Sequence, residues 1–369
     1  MELKNYYRNS FVLTIFIRTA LILLLISAIS FHGQSQSVRQ IQNPYEHVDW
    51  TKYKQYKANL NAHTLVSNGW MNPQSVVEEY KKSGYHILAI TDRHIVTYPW
   101  NEFSRFKTSD LSFSRIYHIV PKPFEDHSIP LQDTVFKGVD PLKAEMVAIQ
   151  GSALLHEKHG VNSYFNDLDN SEGNVLDATA AKKGLAVLNH PGLEKFSVGW
   201  YVNLLKQYQH LKGIEIFNSN GRYPRLLRTW DSIQTAMASA RPVWGFSNDD
   251  FYSKRDLGKN WNVFPLSRLN EKEVRVAMEK GAFYLVHAPQ GVKGPQPPAI
   301  KSIQVDRKKG TIRIESTGQD SVVWISGGIK MGEGEVFSLK DLPAKSKYVR
   351  AEIHGAGNSF VCTQPFFVK

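Results

Sequence analysis

The stretch from Lys57 to His94, KANLNAHTLVSNGWMNPQSVVEEYKKSGYHILAITDRH, restricts the fold of this chain more than any other. It reads as a short strand ending at Asn61-Ala62-His63, a polar turn around Gly69, an amphipathic helix over 73–83 opened by Pro73, and a second strand over 86–91. The second strand is almost wholly apolar and carries Asp92, Arg93 and His94 to its carboxyl end. Extended, helical and extended periodicity in that order predicts a β-α-β unit with parallel strands. Such units collect their chemistry where strands end and loops begin. Two successive strands that each deliver an imidazole or a carboxylate to that edge point to a metal site.

The alternation continues downstream. Apolar segments at 58–61, 87–91, 145–150, 185–189, 213–217 and 243–245 read as strands, and 73–83, 175–183, 200–209, 226–239 and 271–280 as helices. This predicts an α/β fold with a parallel sheet or barrel and a helical exterior. The span 36–288 suits a single (β/α) barrel, which takes ~250 residues. Residues 289–300 hold Pro289, Gly291, Gly294, Pro295, Pro297 and Pro298 and read as a linker. Period-two patterning over 301–369 predicts a small antiparallel β-sandwich.

At the amino terminus, Lys4 and Arg8 precede an apolar run that is interrupted by Arg18 and nearly continuous from Leu21 to Ile29. That run is shorter than the ~20 residues a spanning helix needs, so residues 1–35 read as a secretory signal peptide and the mature protein as periplasmic or extracellular. Cleavage after Ser30 and after Ser35 fit equally well. The single cysteine, Cys362, excludes a disulfide framework and a cysteine metal cluster. The net charge of +11 favours anionic partners, but the basic residues are scattered, so the expected partner is a small anionic or phosphorylated ligand and not a nucleic acid.

Four further positions carry chemistry. His190 ends an apolar segment and precedes Pro191, which restricts it to extended backbone and holds its imidazole at the strand terminus. Asp249 and Asp250 close another apolar segment; adjacent carboxylates repel unless a cation or an arginine lies nearby. Asp250 is the expected ligand, and Asp249 a neighbouring catalytic or capping group. The blander alternatives are a strand-end cap for each lone His or Asp and an Asx turn for the Asn248-Asp249 pair. Arg222, Arg225 and Arg228 follow the strand ending near Asn218 and would reach an anion if their loop folded over the site. Tyr98, Trp100 and Tyr252 would make an aromatic rim.

These motifs resemble the polymerase and histidinol phosphatase (PHP) family. Its His-x-His-Thr falls on residues 61–64, its Ser-Asp-Gly on 67–69, its Thr-Asp-His on 91–93, and its Gly-x-Glu on 151–153. Leu-Asn-His-Pro at 188–191, Gly-Ile-Glu-Ile-Phe-Asn at 213–218, Trp230-Asp231 and Gly-Phe-Ser-Asn-Asp-Asp at 245–250 also match. The resemblance implies a metal-dependent phosphoesterase with a distorted (β/α) barrel. By position it makes His63, Asp92, His159, His190 and Asp250 metal ligands. Read from their own chemistry, Arg93, Arg222 and Tyr252 are the expected contacts to the substrate.

This chain departs from the pattern at Asn61, Asn68, Arg93, Ala153 and Tyr252, which stand at family His, Asp, His, Glu and His positions. Metal ions ~3.5–4 Å apart need a bridging carboxylate, and Ala153 supplies none. Arg93 puts a permanent positive charge where an imidazole would coordinate. Two expectations follow: a reduced phosphoesterase holding one divalent ion (Mn, Zn or Fe) with Arg93 on the phosphoryl group, or a non-catalytic protein that binds an anion with no metal. His94 and His156 are candidates to replace a lost imidazole.

Overall fold

The computed structural model describes residues 39–97, 146–168, 173–191, 196–219 and 225–368. The expected signal segment, Arg222, Tyr98 and Trp100 lie outside them. Among the described residues no helix is long and apolar enough to cross a membrane.

In chain order the strands are β1 (Ile41–Gln42), β2 (Lys54–Asn59), β3 (Ile87–Ile90), β4 (Val147–His156), β5 (His159–Tyr164), β6 (Leu185–Leu188), β7 (Leu211–Phe217), β8 (Trp244–Ser247), β9 (Asn260–Leu266) and β10 (Tyr284–His287). Then follow β11 (Ala299–Asp306), β12 (Thr311–Thr317), β13 (Gln319–Ser326), β14 (Ile329–Glu333), β15 (Val336–Ser338), β16 (Tyr348–Gly355), β17 (Ser359–Cys362) and β18 (Phe366–Val368). The helices are α1 (Pro73–Lys82), α2 (Val175–Ala181), α3 (Val198–Gln207), α4 (Arg225–Met237) and α5 (Glu271–Lys280).

Local chemistry accounts for the helix ends. The Asn72 side chain accepts from the Ser75 N–H at 2.8 Å, and Pro73 takes a first-turn position where a missing N–H costs nothing. Asn270 caps α5 in the same way. That helix stops at Gly281, whose φ of 73° suits glycine and whose Cβ position is already taken by the Trp244 indole.

Parallel ladders join β2 to β3, β3 to β4, β6 to β7 and β7 to β8, as the alternation predicts. Between β4 and β6 the expectation of a purely parallel arrangement fails. β4 runs past the sheet edge, turns at Glu157-Lys158 and returns antiparallel as β5. Both turn residues have positive φ (46° and 70°), the geometry of a two-residue hairpin turn that ordinarily selects Asn and Gly. Glu-Lys gives no such cue. A parallel bridge between Ala62 and Phe251 joins the run after β2 to the run after β8, so the ladder returns on itself at its carboxyl edge.

β9 pairs antiparallel with β2 and β10, and β10 pairs with β17. The sheet therefore passes from the parallel part into β17, β16 and β13, across the Pro/Gly segment 289–300. Strand alternation gives β9 and β10 two interiors. Phe264 and Leu285 enter the core of the parallel part, while Val263, Tyr284 and Val286 enter a second core with Ile303, Ile314 and Trp324. β11, β12 and β15 form a separate three-stranded sheet that contributes Ile300, Ile312 and Phe337 to that second core. At the far edge β1 pairs with β18, and the Tyr45 hydroxyl donates to the Phe283 carbonyl while accepting from the Gln364 N–H.

Candidate functional site

The carboxyl ends of β2, β3, β6, β7 and β8 carry Asn61 and His63, Arg93, His190, Glu215 with Asn218, and Asn248 through Asp250. Asp250 is the hub. It is buried in a left-handed backbone conformation (φ 49°), and His63 Nε2 lies 3.4 Å from its Oδ1. Burial alone would raise the Asp250 pKa, but the hydrogen bond and charge of His63, then His190 and Arg93, outweigh it and hold the carboxyl below its ordinary value.

Glu215 is also fully buried. Asn61 Nδ2 donates to its Oε1 at 3.0 Å, Asn248 Nδ2 to the same oxygen at 3.0 Å, and Asn218 Nδ2 to Oε2 at 3.4 Å. Desolvation first and the charge of Asp250 second push its pKa up to about 8, against those three hydrogen bonds. Asn61 links the pair, since its Nδ2 also lies 3.4 Å from Asp250 Oδ1 and its Oδ1 accepts from the Thr91 hydroxyl. A neutral amide at the family His position thus braces two carboxyl groups.

Arg93 leaves β3 beside Ala153, with which it forms an isolated parallel bridge. Its Nη2 donates to the Tyr252 hydroxyl at 3.2 Å, and its buried Nε has no acceptor among the described residues. The Tyr252 ring packs 4.8 Å from the His63 ring. His63 Nδ1 is likewise buried without a partner among the described residues. The replaced positions 93, 153 and 252 therefore stand together, beside two buried nitrogens that still call for partners.

Three expected site residues do other work. The Asp92 carboxylate accepts two hydrogen bonds on each oxygen: the Thr64 N–H and Ser67 hydroxyl on Oδ1, the Thr64 and Thr97 hydroxyls on Oδ2. These staple the loops after β2 and β3 and leave it no lone pair for a cation. Asp249 accepts from the N–H groups of Gly258, Lys259 and Asn260 and from the Tyr80 and Tyr85 hydroxyls. It caps the loop before β9 through donors nine to eleven residues on, which is a longer-range cap than the Asx turn of the blander alternative. His159 hydrogen-bonds the Gly160 carbonyl and the Tyr201 hydroxyl through its two ring nitrogens and stacks on Trp200 at 5.3 Å. It belongs to the aromatic packing around α3.

Among the described residues no three His, Cys, Asp or Glu side chains converge well enough to hold a metal ion. The multi-metal centre implied by the family resemblance does not fit this donor set.

Sequence reading missed two residues here. Glu215 had a signal, as the lone carboxylate in an otherwise apolar strand. Trp70 had none. It is 57% exposed, and its backbone N–H donates to the Tyr252 carbonyl.

No family model matches the chain, and no curated protein matches it. Solved structures do. A two-domain protein from Bacteroides vulgatus, containing a predicted PHP-like metal-dependent phosphoesterase, is 12% identical with a TM-score of 0.48, over 87% of this chain and 96% of that one. An amidohydrolase from Chromobacterium violaceum, with bound sulfate and no metal, is 12% identical with a TM-score of 0.36, over 60% of this chain and 96% of that one. The lesion-specific endonuclease EndoQ of Pyrococcus furiosus is 13% identical with a TM-score of 0.36, over 61% of this chain and 56% of that one. The structural neighbours include PHP-like proteins.

The buried carboxyl groups fix how stability responds to pH. Glu215 and Asp249 hold their protons to higher pH when folded: Glu215 to about 8 from 4.5, and Asp249 to about 6 from 3.8, mainly through burial. In those windows the native state binds more protons than the unfolded chain, so both groups remove stability as pH rises. Asp250, held low, works oppositely, and its contribution is lost as pH falls through its folded value. Glu215→Gln is expected to flatten the decline in urea midpoint between about pH 5 and 8. A slope matching the parent's would mean that Glu215 ionises normally in the fold.

Proposed function

We propose that this chain is a PHP-like protein, of the metal-dependent phosphoesterase type in its scaffold, whose strand-end site binds a phosphorylated or otherwise anionic small molecule without a multi-metal centre. The observation that carries this reading is Arg93, with its buried Nε lacking an acceptor among the described residues, beside a carboxylate-free Ala153. A buried donor left unpaired costs ~1–3 kcal/mol, and a guanidinium pairs bidentately with phosphate or carboxylate. An oxyanion there relieves the first by the second. Burial and the Asp250 charge favour the neutral form of Glu215, which lessens its opposition to an anion, and Asp250 is offset by His63 and Arg93. The amino-terminal segment supports export, so this ligand would be met outside the cytoplasm.

A second reading, phosphoester hydrolysis with one divalent ion, is favoured by the His63–Asp250 pair alone. Elemental mass spectrometry after incubation with manganese, zinc and iron, run beside a calorimetric phosphate titration, separates the two. Saturable phosphate binding by metal-free protein that Arg93→Met weakens supports the anion site. A stoichiometric ion lost in His63→Ala, with Arg93-dependent phosphate binding only when that ion is present, would replace it with the hydrolase reading.

A further inference from the structure

A cavity in the described structure lies away from this site. Its volume is about 350 Å³, and its walls include Asn43, His47, Lys212, Arg241, Trp244 and Lys280. Lys212 is the second residue of β7 and Trp244 the first of β8, so the cavity opens at the amino-terminal edge of those strands. The strand-end site lies at their other edge, about 20 Å away along β7.

The charges of the cavity do not balance. Of the acidic residues in its walls, Glu46 is held by Arg307 at 2.8 Å and Glu279 by Arg275 at 3.1 Å. Neither Lys212 nor Lys280 forms an ion pair with any described residue. Arg241 turns its guanidinium onto the carbonyls of Leu205, Tyr208, Leu211 and Pro242, closing the end of α3 while bringing a fixed cation to the wall. Lys212 is half-buried beside it, and burial followed by the charge of Arg241 lowers its pKa. A partly desolvated ammonium next to another cation is a cost that a bound anion removes.

We infer that this cavity is a second binding site, separate from the strand-end site, for a small molecule carrying two negative charges. Its volume lies within the range of small-ligand pockets. Lys212 and Lys280 supply six N–H donors, and Arg241, whose Nε and Nη2 are spent on backbone carbonyls, adds mainly its fixed positive charge. The exposed Lys280 at the end of α5 can swing, whereas the strand fixes Lys212.

Calorimetric titration with inorganic phosphate and with succinate, both on the Arg93→Met protein, tests this with the strand-end site disabled. One saturable event with either dianion is expected. Adding Lys212→Met should weaken it at least ~10-fold, and adding Lys280→Gln ~3-fold. Binding of phosphate alone narrows the class to phosphate monoesters. No saturable event in Arg93→Met, or one indifferent to both lysine substitutions, overturns the inference. A thermal melt establishes that Lys212→Met is folded; if it is not, Lys280→Gln on the exposed helix end decides by itself.

Discussion

Asp231→Ala is expected to lower the unfolding free energy by about 3–5 kcal/mol, a large part of the ~5–15 kcal/mol that a folded chain has. Asp231, on α4, accepts from Arg350 Nε at 3.0 Å, from Arg350 Nη2 at 2.7 Å and from the Tyr348 hydroxyl at 2.8 Å. Arg350 Nη1 reaches Glu352 at 2.6 Å, and the guanidinium carbon lies 5.3 Å from the centre of the Trp230 ring. All of these groups are nearly or fully buried. Without Asp231 a guanidinium and a phenol are stranded in the interior with half their partners gone. The triple change Asp231→Leu, Arg350→Met and Glu352→Gln removes all three charges of the cluster, and it should lose much less than the single change. Urea denaturation followed by tryptophan fluorescence measures both. A single-variant loss under ~1 kcal/mol, or a triple variant as damaged as the single, would refute the stranded-charge account.

The second large effect concerns ligand affinity. Arg93→Met should weaken phosphate binding at the strand-end site at least ~10-fold, because the lost contacts are charge-assisted and partly desolvated. Arg93→Lys keeps the charge without the planar fork and should recover only part. Tyr252→Phe removes a single hydrogen bond of 3.2 Å and should cost little. Calorimetry on the Lys212→Met background isolates this site. Unchanged affinity in Arg93→Met would move the anion elsewhere and remove the basis of the proposed function.

The parts of the fold legible in the sequence are those written in local periodicity. The β2–α1–β3 opening and the five described helices follow from apolar spacing and from caps such as Asn72 and Asn270, whereas the extended backbone expected of His190 ahead of Pro191 is not found: β6 ends at Leu188 and His190 has a φ of 26°. The roles of Asp92 and Asp249 were not legible, because their donors arrive from elsewhere. Tyr80 and Tyr85 are 169 and 164 residues from Asp249 in sequence, and nothing local marks them as its partners. The β4–β5 hairpin was hidden by a Glu-Lys turn that lacks the residues its geometry favours. The Trp230-Asp231 motif was visible, but its attachment to Arg350 could not be read from either end alone. His159 has the right residue type at a matching position, and its neighbours Trp200 and Tyr201 turn it into packing.

The strands β9 and β10 have no face toward water. A one-residue slip would exchange Phe264 and Leu285 for Val263, Tyr284 and Val286 in their respective interiors, so two cores specify one register. The order of assembly follows from this. Leu285 pairs with Cys362, and Ile41 with Val368, so the wall between the two interiors is completed by the last strands of the chain. Contacts at such sequence separation form late. As the chain is synthesised, the interior of the parallel part lacks Phe360 and Cys362 until β17 has emerged.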